Sequence, residues 1–361
     1  MPLKIQPHTA SAVRQRLTSI AARRGAIGVQ YVVLRHGEIW LEHCHGLADA
    51  ALVQPVTPRT TFNAYSITKP FTAAAVIALA ERGRLDLDTP VGIAAGIEGL
   101  EAYGSVRDTL LHRAGFRNPN PLRWIHPAAK HDSFDETAFV REQVAGVRGS
   151  RRRRASSGYS NIGYLLLGLV IERAWCGPFP RAVQSLVFEP LHLGIDEKLG
   201  FTIEHPELHA RGHLRRYCLL DLMLGLFINR SEVVQGSADG WVRLLLHQVN
   251  GSAYGGLIAN ARGLARFGQA VIDAGAGRLS YLGQQLLHIV PGAGPSRSLA
   301  LFSGGLGRCG WLAHAGGGLG YYGEFRLYPD LGTVSCLLTN GYGFSDTRSL
   351  DHIDAAWLEN N

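Results

Sequence analysis

Several short motifs with a defined chemistry are missing from this sequence, and their absence excludes whole classes of protein. The five cysteines are widely spaced and form no C-x-x-C pair, so we expect no zinc site. The sequence also contains no H-E-x-x-H, no P-loop and no G-x-S-x-G. These absences exclude zincins, P-loop nucleotide hydrolases and lipases with a nucleophile elbow, and nothing in the sequence implies a metal or a cofactor.

Long apolar runs are missing as well. A membrane-spanning helix needs about 20 consecutive apolar residues, and no such run occurs, so we predict no membrane span. The first residues, MPLKIQPHTASAVRQRL, lack the apolar core of a secretory signal. We therefore expect a cytoplasmic protein, or a periplasmic or secreted one if the N-terminus was trimmed. The odd number of cysteines, with Cys336 in an apolar run, fits a reducing compartment.

The composition is that of an ordinary globular protein. The chain has 361 residues, 46% of them hydrophobic and 18% charged, with a net charge of +7. Arginine supplies most of this excess, and because arginines often form only a solvated surface, we predict no nucleic-acid partner. The run Arg151–Arg154 is interpreted first as a solvated loop and second as a basic rim that attracts acidic substrates or an anionic surface.

Periodicity predicts strands near both ends of the chain and helices between them. Helices are expected over residues 10–24, 66–82, 159–175 and 261–274, with a closing helix from about Thr347 to Leu358. Hairpins are expected around His36-Gly37 and around Asp330-Leu331-Gly332. We therefore predict an α/β (α+β) fold, with an antiparallel sheet built from both termini, flanked by helices and interrupted by an inserted, mainly helical region.

This pattern also suggests a division of the chain. Residues 1–64 and 245–361 would form the α/β sheet region, and residues 65–244 the mainly helical region. The helix that begins near Ser66 would lie at their interface, within one catalytic unit.

The first chemical motif is Ser66-Ile67-Thr68-Lys69 at the start of a buried helix. A serine and a lysine three residues apart share one helical face and can hydrogen-bond. A desolvated lysine loses proton affinity, so its neutral amine can accept the serine proton, and the helix N-terminus adds a positive dipole. Ser-x-x-Lys is common by chance, so this motif alone identifies nothing.

Two later motifs complete the set. Tyr159-Ser160-Asn161 opens another buried helix and offers a proton-transfer group and an amide, although a capped helix with a packed tyrosine has the same pattern. His314 to Gly318 form a glycine-rich edge whose backbone N–H groups could hold an oxyanion with that of Ser66; the alternative is a loose turn. Gly318, Gly320 and Gly323 spell G-x-G-x-x-G, but a strand rather than a helix follows, so we reject dinucleotide binding.

In this order and at these separations, the three motifs resemble the signature of the serine β-lactamase-like and penicillin-binding protein superfamily, which includes class C β-lactamases, D,D-peptidases and family VIII-type esterases. The resemblance covers residues 25–345 and implies a β-lactamase-like fold. Further matches are Gly83 to Val91, Tyr159 to Glu172, Gly255-Gly256-Leu257 and the segment PDLGTVSCLLTN.

The resemblance implies a role for each motif residue. Ser66 would be the acylated nucleophile, and Lys69 and Tyr159 would share the proton transfer, with the main base left open. Asn161 would position the substrate and also hold Lys69. The N–H groups of Ser66 and Gly317 would form the oxyanion hole.

The remaining predicted substrate contacts are Gly316 and His314. His314 occupies the place where β-lactamases usually carry lysine. With an ordinary pKa near 6.5 it would be mostly uncharged at neutral pH, although Arg326 on the next strand could restore a cation. His112-Arg113-Ala114-Gly115 resembles a His-x-Ser-Gly stretch of the family but has alanine for serine, and we interpret it as structural.

These observations predict a serine hydrolase that forms an acyl-enzyme on Ser66 and cleaves a small-molecule ester or amide. Esterase activity is favoured over peptidase activity on D-amino-acid peptides, and true β-lactamase activity ranks third. Two alternatives stay open: an acyltransferase of the same fold, and a slowly deacylating penicillin-binding sensor. The sequence makes no prediction about the oligomeric state.

Overall fold

The computed structural model describes residues 6–24, 27–101, 103–116, 118, 124–146, 158–227, 229–274, 285–288, 290, 298–341 and 349–359. Its α-helices are α1 (Pro7–Arg24), α2 (Thr68–Glu81), α3 (Val91–Ala95), α4 (Val106–Leu110), α5 (Glu136–Ala145), α6 (Asn161–Trp175), α7 (Phe179–Val183), α8 (Leu219–Phe227), α9 (Ser252–Gly255), α10 (Ala261–Asp273) and α11 (Ser349–Leu358). Its strands are β1 (Gly28–Arg35), β2 (Glu38–Asp49), β3 (Gln54–Pro55), β4 (Phe62–Asn63), β5 (Ile125–Pro127), β6 (Leu199–Gly200), β7 (His213–Arg215), β8 (Val234–Ala238), β9 (Trp241–Leu244), β10 (His247–Val249), β11 (Ile258–Ala259), β12 (Phe302–Leu306), β13 (Cys309–Gly318), β14 (Tyr321–Tyr328) and β15 (Thr333–Thr339).

One large antiparallel sheet joins the two ends of the chain. Over the described residues its strand order is β12-β13-β14-β15-β1-β2-β3. The two halves meet where β1 pairs with β15, with Tyr31 opposite Leu337. The predicted sheet built from both termini is therefore confirmed. Within the described ranges, three smaller sheets pair β10 with β5, β4-β11-β6, and β7-β9-β8.

Side chains alternate along each strand, so the sheet has two apolar faces, and helices cover both of them. On β1, Val29, Tyr31 and Val33 pack against α1 and α11. Val32 and Leu34 point the other way, into the larger core that contains α2, α6 and α10. The result is a helix–sheet–helix layering in which α2 and α6 lie on one side of the sheet and α1 and α11 on the other.

Turn chemistry fixes the hairpins that the sequence predicts. His36 and Gly37 both have positive φ values, 50° and 82°, as a tight two-residue hairpin requires. A short 3₁₀ turn at Pro329–Leu331 and Gly332 at φ 56° connect β14 to β15. Both predicted hairpins are confirmed.

The helix that carries Lys69 starts later than predicted. Ser66 lies in a 3₁₀ turn, Tyr65–Ile67, and α2 begins at Thr68. Pro70 is the third residue of α2, where a backbone N–H would have no partner within the helix. The predicted helix over 159–175 likewise begins at Asn161, because the Ser160 hydroxyl caps it by accepting from the Gly163 N–H at 3.1 Å.

The strands of the large sheet come from residues 28–55 and 302–339, and α2 to α10 lie between them in the chain. The division at residues 64 and 245 into a sheet region and a mainly helical region stays a prediction. Among the described residues no helix alone has the length and apolarity to cross a membrane, and α6 with the following segment Phe179–Leu191 passes that test only as a pair bent by 72°.

Candidate active site

The 3₁₀ turn Tyr65–Ile67 and the first turn of α2 bring a hydroxyl and an amine together. Lys69 Nζ lies 2.9 Å from Ser66 Oγ and donates a hydrogen bond to the Tyr254 carbonyl at 3.0 Å. Ser66 is partly exposed, whereas Lys69 is completely buried. The predicted pairing of these two side chains is what the structure contains.

Burial changes the acid–base character of Lys69. Desolvation disfavours the ammonium form and holds the pKa of Lys69 well below its ordinary value of 10.5. Its surroundings are aromatic, because Nζ lies 4.7 Å, 5.4 Å and 5.5 Å from the ring centroids of Tyr159, Tyr254 and Tyr164. A neutral amine in this position can donate to the Tyr254 carbonyl and accept the Ser66 proton.

Tyr159 reaches the same hydroxyl from the other side. Its side chain hydrogen-bonds to Ser66, which lowers its pKa, but burial of the phenol outweighs this contact and raises its pKa above the ordinary value of 10.0. The residue as a whole remains 37% exposed, although its hydroxyl lies among protein atoms. Tyr159 is therefore a neutral phenol at neutral pH.

His112 positions this second motif. Its Nδ1 accepts the Ser160 N–H at 3.1 Å, and its ring centroid lies 4.5 Å from that of Tyr159. The stretch that we interpreted as structural thus acts directly on the motif. The alanine at position 114 removes none of these contacts, because they come from the histidine.

Asn161 departs from its expected role. Its backbone N–H donates to Asn118 Oδ1 at 2.6 Å, while its own side-chain Oδ1 is buried without a hydrogen-bond partner. The expectation that Asn161 holds Lys69 was therefore wrong, because the Tyr254 carbonyl makes that contact. The predicted contact of Asn161 with a substrate stays a prediction.

Tyr254 is the site residue that sequence reasoning missed. It lies in α9, 185 positions from Lys69 in sequence, and contributes a carbonyl and the face of its ring. Two further bonds hold α9 and the residues after it against α2: Thr72 donates to the Ala253 carbonyl at 2.6 Å, and the Leu257 N–H donates to the Thr68 hydroxyl at 3.0 Å. The only signal was its position just before the Gly255-Gly256-Leu257 stretch.

The glycine-rich edge is part of a strand rather than a loose turn. His314 to Gly318 form the end of β13, which pairs with β14. A Cβ on Gly316 would lie 2.1 Å from the Ala64 carbonyl oxygen and 2.9 Å from the Ser66 nitrogen, so only glycine permits this approach. On Gly317 the nearest atom would be 3.5 Å away, an ordinary contact.

The different space available at Gly316 and Gly317 predicts different outcomes when each is replaced by alanine. Gly316→Ala is expected to push β13 away from the turn Tyr65–Ile67 and to lower kcat/KM at least about 100-fold, the scale of losing one oxyanion donor. Gly317→Ala keeps its backbone N–H and has room for the methyl group, so kcat/KM should stay within about twofold. Ester kinetics on both variants, with thermal unfolding as the control, check this; equal losses in the two variants would contradict it.

His314 is a neutral acceptor in this site. Its Nδ1 lies 2.8 Å from the Ala315 carbonyl oxygen, which can only accept, so Nδ1 carries the proton. Nε2 is consequently a lone-pair acceptor, and it is buried without a partner. Burial first, and the nearby Lys69 second, lower the pKa of His314 to about 3. The ring lies 6.1 Å from Tyr159 and 5.6 Å from Phe302 between centroids.

A family model described as Beta-lactamase matches residues 12–356. The chain belongs to the Beta-lactamase family. The resemblance predicted from the three motifs is thereby confirmed, as is the fold.

Two curated relatives match only part of the chain. Esterase EstB of Burkholderia gladioli is 30% identical over 204 residues, which cover 52% of this chain and 50% of the esterase. Penicillin-binding protein 4* of Bacillus subtilis (strain 168) is 28% identical over 161 residues, 43% of this chain and 34% of that protein. The chain thus spans half or less of these relatives' length.

Two solved structures match this chain over nearly its whole length. D-amino acid amidase from Ochrobactrum anthropi SV3 matches with a TM-score of 0.74 at 20% identity, over 98% of this chain and 100% of the amidase. A class C β-lactamase from Rhodobacter sphaeroides matches with a TM-score of 0.71 at 16% identity, over 97% of this chain and 99% of that chain. At these identities the likeness shows the fold.

Arg326 does not supply this Beta-lactamase family member with an active-site cation. It is fully buried and donates to Glu324 at 2.6 Å and 2.9 Å and to Asp351 at 2.5 Å. Alternation places it on the same face of β14 as Tyr322 and Tyr328, which pack against the terminal helices. The expectation that Arg326 could replace the lysine of β-lactamases was therefore wrong.

The basic run Arg151–Arg154 lies outside the described residues, so its two interpretations stay predictions.

Proposed function

We propose that the protein is a serine hydrolase that cleaves a small ester or amide through an acyl-Ser66 intermediate. The observation that carries this proposal is the 2.9 Å separation of Lys69 Nζ and Ser66 Oγ, with the lysine completely buried. Burial is costly for an ammonium group, and such a cost is typical of a lysine kept for chemistry. Membership of the Beta-lactamase family supports the same activity.

The opposite pKa shifts of Lys69 and Tyr159 support the following order of proton transfers. A lowered pKa makes the Lys69 amine a base, and a raised pKa keeps the Tyr159 phenol protonated. In acylation, Lys69 takes the Ser66 proton as Oγ attacks the substrate carbonyl carbon. Tyr159 then gives its proton to the departing alcohol or amine and is reprotonated from the Lys69 ammonium.

In deacylation a water molecule is the nucleophile, and the same two side chains accept and return its proton. Water loses a proton to the neutral Lys69–Tyr159 pair as it attacks the acyl carbon, the acid product leaves, and Ser66 Oγ recovers a proton. In both steps the oxyanion would accept from the N–H groups of Ser66 and Gly317, and Asn161 would orient the substrate. The close approach of Gly316 to Ser66 supports this arrangement.

Three aromatic side chains near Ser66, which we take as a wall of the site, support a proposal for the substrate class. Tyr159, Phe302 and His314 form an aromatic group with ring centroids 5.6–6.4 Å apart, and none of the three is a cation at neutral pH. A neutral acyl group suits this wall better than a carboxylate. We therefore rank esters above D-amino-acid amides or peptides, and β-lactams last; the similarity to esterase EstB supports this order.

Covalent labelling tests the proposed activity. Wild-type protein treated with a fluorophosphonate should gain one adduct, located on Ser66 by peptide mass spectrometry, and should hydrolyse a chain-length series of p-nitrophenyl esters. An adduct on another residue would overturn the assignment. Stoichiometric labelling by esters without turnover would favour the slowly deacylating sensor, and faster product formation with added alcohols would favour the acyltransferase.

Because His314 is neutral, we predict that the protein hydrolyses β-lactams slowly. Because its pKa lies near 3 and its free nitrogen is an acceptor, wild-type protein should prefer p-nitrophenyl butyrate to nitrocefin equally at pH 6 and pH 8. His314→Lys adds a hydrogen-bond donor whose ammonium form is stabilised by the nitrocefin carboxylate, so kcat/KM for nitrocefin should rise about 10-fold or more. His314→Gln, which is also uncharged, is the matched control. A wild-type preference for nitrocefin, or no gain in the lysine variant, would contradict the prediction.

A further inference from the structure

Four buried titratable side chains lie behind the nucleophile, and the proposed chemistry uses none of them. They are Tyr65, His209, His247 and Tyr321, and each keeps less than a tenth of its surface exposed. The Tyr65 ring centroid lies 6.5 Å from that of His247 and 6.3 Å from that of Tyr321. Tyr65 immediately precedes Ser66, so any constraint on it acts on the nucleophile.

The hydrogen bonds of His247 have a fixed direction. Its Nδ1 lies 3.2 Å from the Leu245 carbonyl oxygen, which can only accept, so Nδ1 carries the proton. Burial lowers the pKa of His247 to about 4, which keeps the ring neutral. Nε2 is then an acceptor for the Tyr65 hydroxyl, at 2.9 Å. The Leu319 carbonyl, at 3.4 Å from the same hydroxyl, is the longer and weaker alternative.

Tyr65 needs such an anchor because its backbone is strained. Its φ is +47°, in the left-handed region that residues other than glycine rarely adopt. This conformation sets the direction in which the Ser66 N–H and side chain leave the turn. A residue in this region keeps its conformation only where its surroundings hold it there.

The Tyr65 ring also contacts the strand that supplies the second oxyanion donor. A Cβ on Gly318 would lie 2.0 Å from this ring, so β13 runs directly against it. Two residues earlier, Gly316 lies against the Ala64 carbonyl. Tyr65 thus touches the nucleophile through the backbone and β13 through its ring, and its position sets the spacing between the Ser66 and Gly317 N–H groups.

We propose that His247 is a positioning residue for the oxyanion hole, which it acts on through the Tyr65 hydroxyl; this inference rests on the proposed acyl-Ser66 chemistry. His247 accepts the Tyr65 O–H, holds the ring against Gly318, and so keeps the left-handed turn before Ser66 in its reactive conformation. Neither side chain touches substrate. Loss of the bond should slow acylation more than it weakens substrate binding, because the oxyanion forms only in the transition state.

The test compares variants that remove this bond with one that removes a neighbouring bond. Tyr65→Phe and His247→Leu each delete the Tyr65–His247 contact, and His247→Gln can restore an acceptor near the position of Nε2. Tyr321→Phe is the matched control, since it deletes a buried hydroxyl of the same cluster that donates to the Ala210 carbonyl at 2.7 Å. Each variant is assayed for the rate of Ser66 labelling by a fluorophosphonate, for kcat and KM on p-nitrophenyl butyrate, and for thermal unfolding.

We expect Tyr65→Phe and His247→Leu to lower the labelling rate and kcat about 10-fold or more with KM within about twofold, because one oxyanion donor is worth about 100-fold or more when lost completely. Their double variant should be no slower than the slower single one, because both delete the same contact. His247→Gln should recover most of the rate, and Tyr321→Phe should label at the wild-type rate whatever its unfolding temperature.

Two results would overturn the inference alone: wild-type labelling by Tyr65→Phe, or an equal loss in Tyr321→Phe. If His247→Leu does not fold, Tyr65→Phe, which keeps the ring, decides the matter. Wild-type protein that gains no adduct on Ser66 would instead overturn the proposed function and this inference together.

Discussion

Replacing Ser66 by alanine is expected to abolish ester turnover and fluorophosphonate labelling together while the fold survives. The side chain is small and partly exposed, so its loss leaves no large cavity. The hydroxyl nevertheless hydrogen-bonds with both Lys69 and Tyr159, and without it the proposed acyl-enzyme cannot form. Loss of the nucleophile in a covalent hydrolase costs at least about four orders of magnitude in kcat.

Intact-mass spectrometry after labelling, steady-state kinetics and thermal unfolding check this expectation. Ser105→Ala is the matched control. Its hydroxyl caps α4 by accepting from the Asp108 N–H at 3.2 Å, so its loss should cost about 1 kcal/mol of stability and leave labelling unchanged. An adduct that persists in Ser66→Ala would show that another residue is the nucleophile.

The parts of this fold that could be predicted are those with local signals. The hairpin at His36-Gly37 needs two residues at positive φ, and α6 needs a cap, which Ser160 provides. Ser66 and Lys69 are three positions apart, so local geometry alone brings them together. Such features depend on a few neighbouring residues, which a single sequence displays directly.

The parts that could not be predicted depend on contacts between distant segments. The partner of Lys69 is a backbone carbonyl at Tyr254, and every residue type has a carbonyl, so no sequence pattern marks it. The Tyr65–His247 bond joins positions 182 apart, one of them in a two-stranded sheet of three-residue strands. Burial, which decides the pKa values of Lys69 and His314, likewise belongs to the assembled fold.

One error was avoidable from the sequence. Arg326 and Glu324 are two positions apart in a predicted strand, so they share a face, while Phe325 points to the opposite one. A carboxylate beside an arginine on one face of a buried strand indicates an ion pair rather than a free cation. The structure contains this pair, and Asp351 in α11 forms a second ion pair with the same arginine.

Lys69→Met and Tyr159→Phe are each expected to lower kcat severely, and the double variant should lose little more than the worse single one. The two groups pass one proton along one path through Ser66, so either deletion breaks that path, and effects of this kind do not multiply. Methionine fills the space of the lysine stem and removes an amine that must give up its proton to be buried, so Lys69→Met should unfold at the wild-type temperature or above it.

The dependence of kcat/KM on pH separates their roles. Since burial lowers the pKa of Lys69, activity should fall as the pH drops through that lowered value, where the resting amine gains a proton and can no longer act as a base. Tyr159→Phe keeps this amine and should retain the acidic limb of the profile at reduced height, whereas Lys69→Met should lose the limb. Kinetics of the four proteins on p-nitrophenyl butyrate from pH 5 to pH 9 provide both comparisons. Losses that simply multiply would mean that the residues act independently, and an acidic limb that persists in Lys69→Met would assign the base to another group.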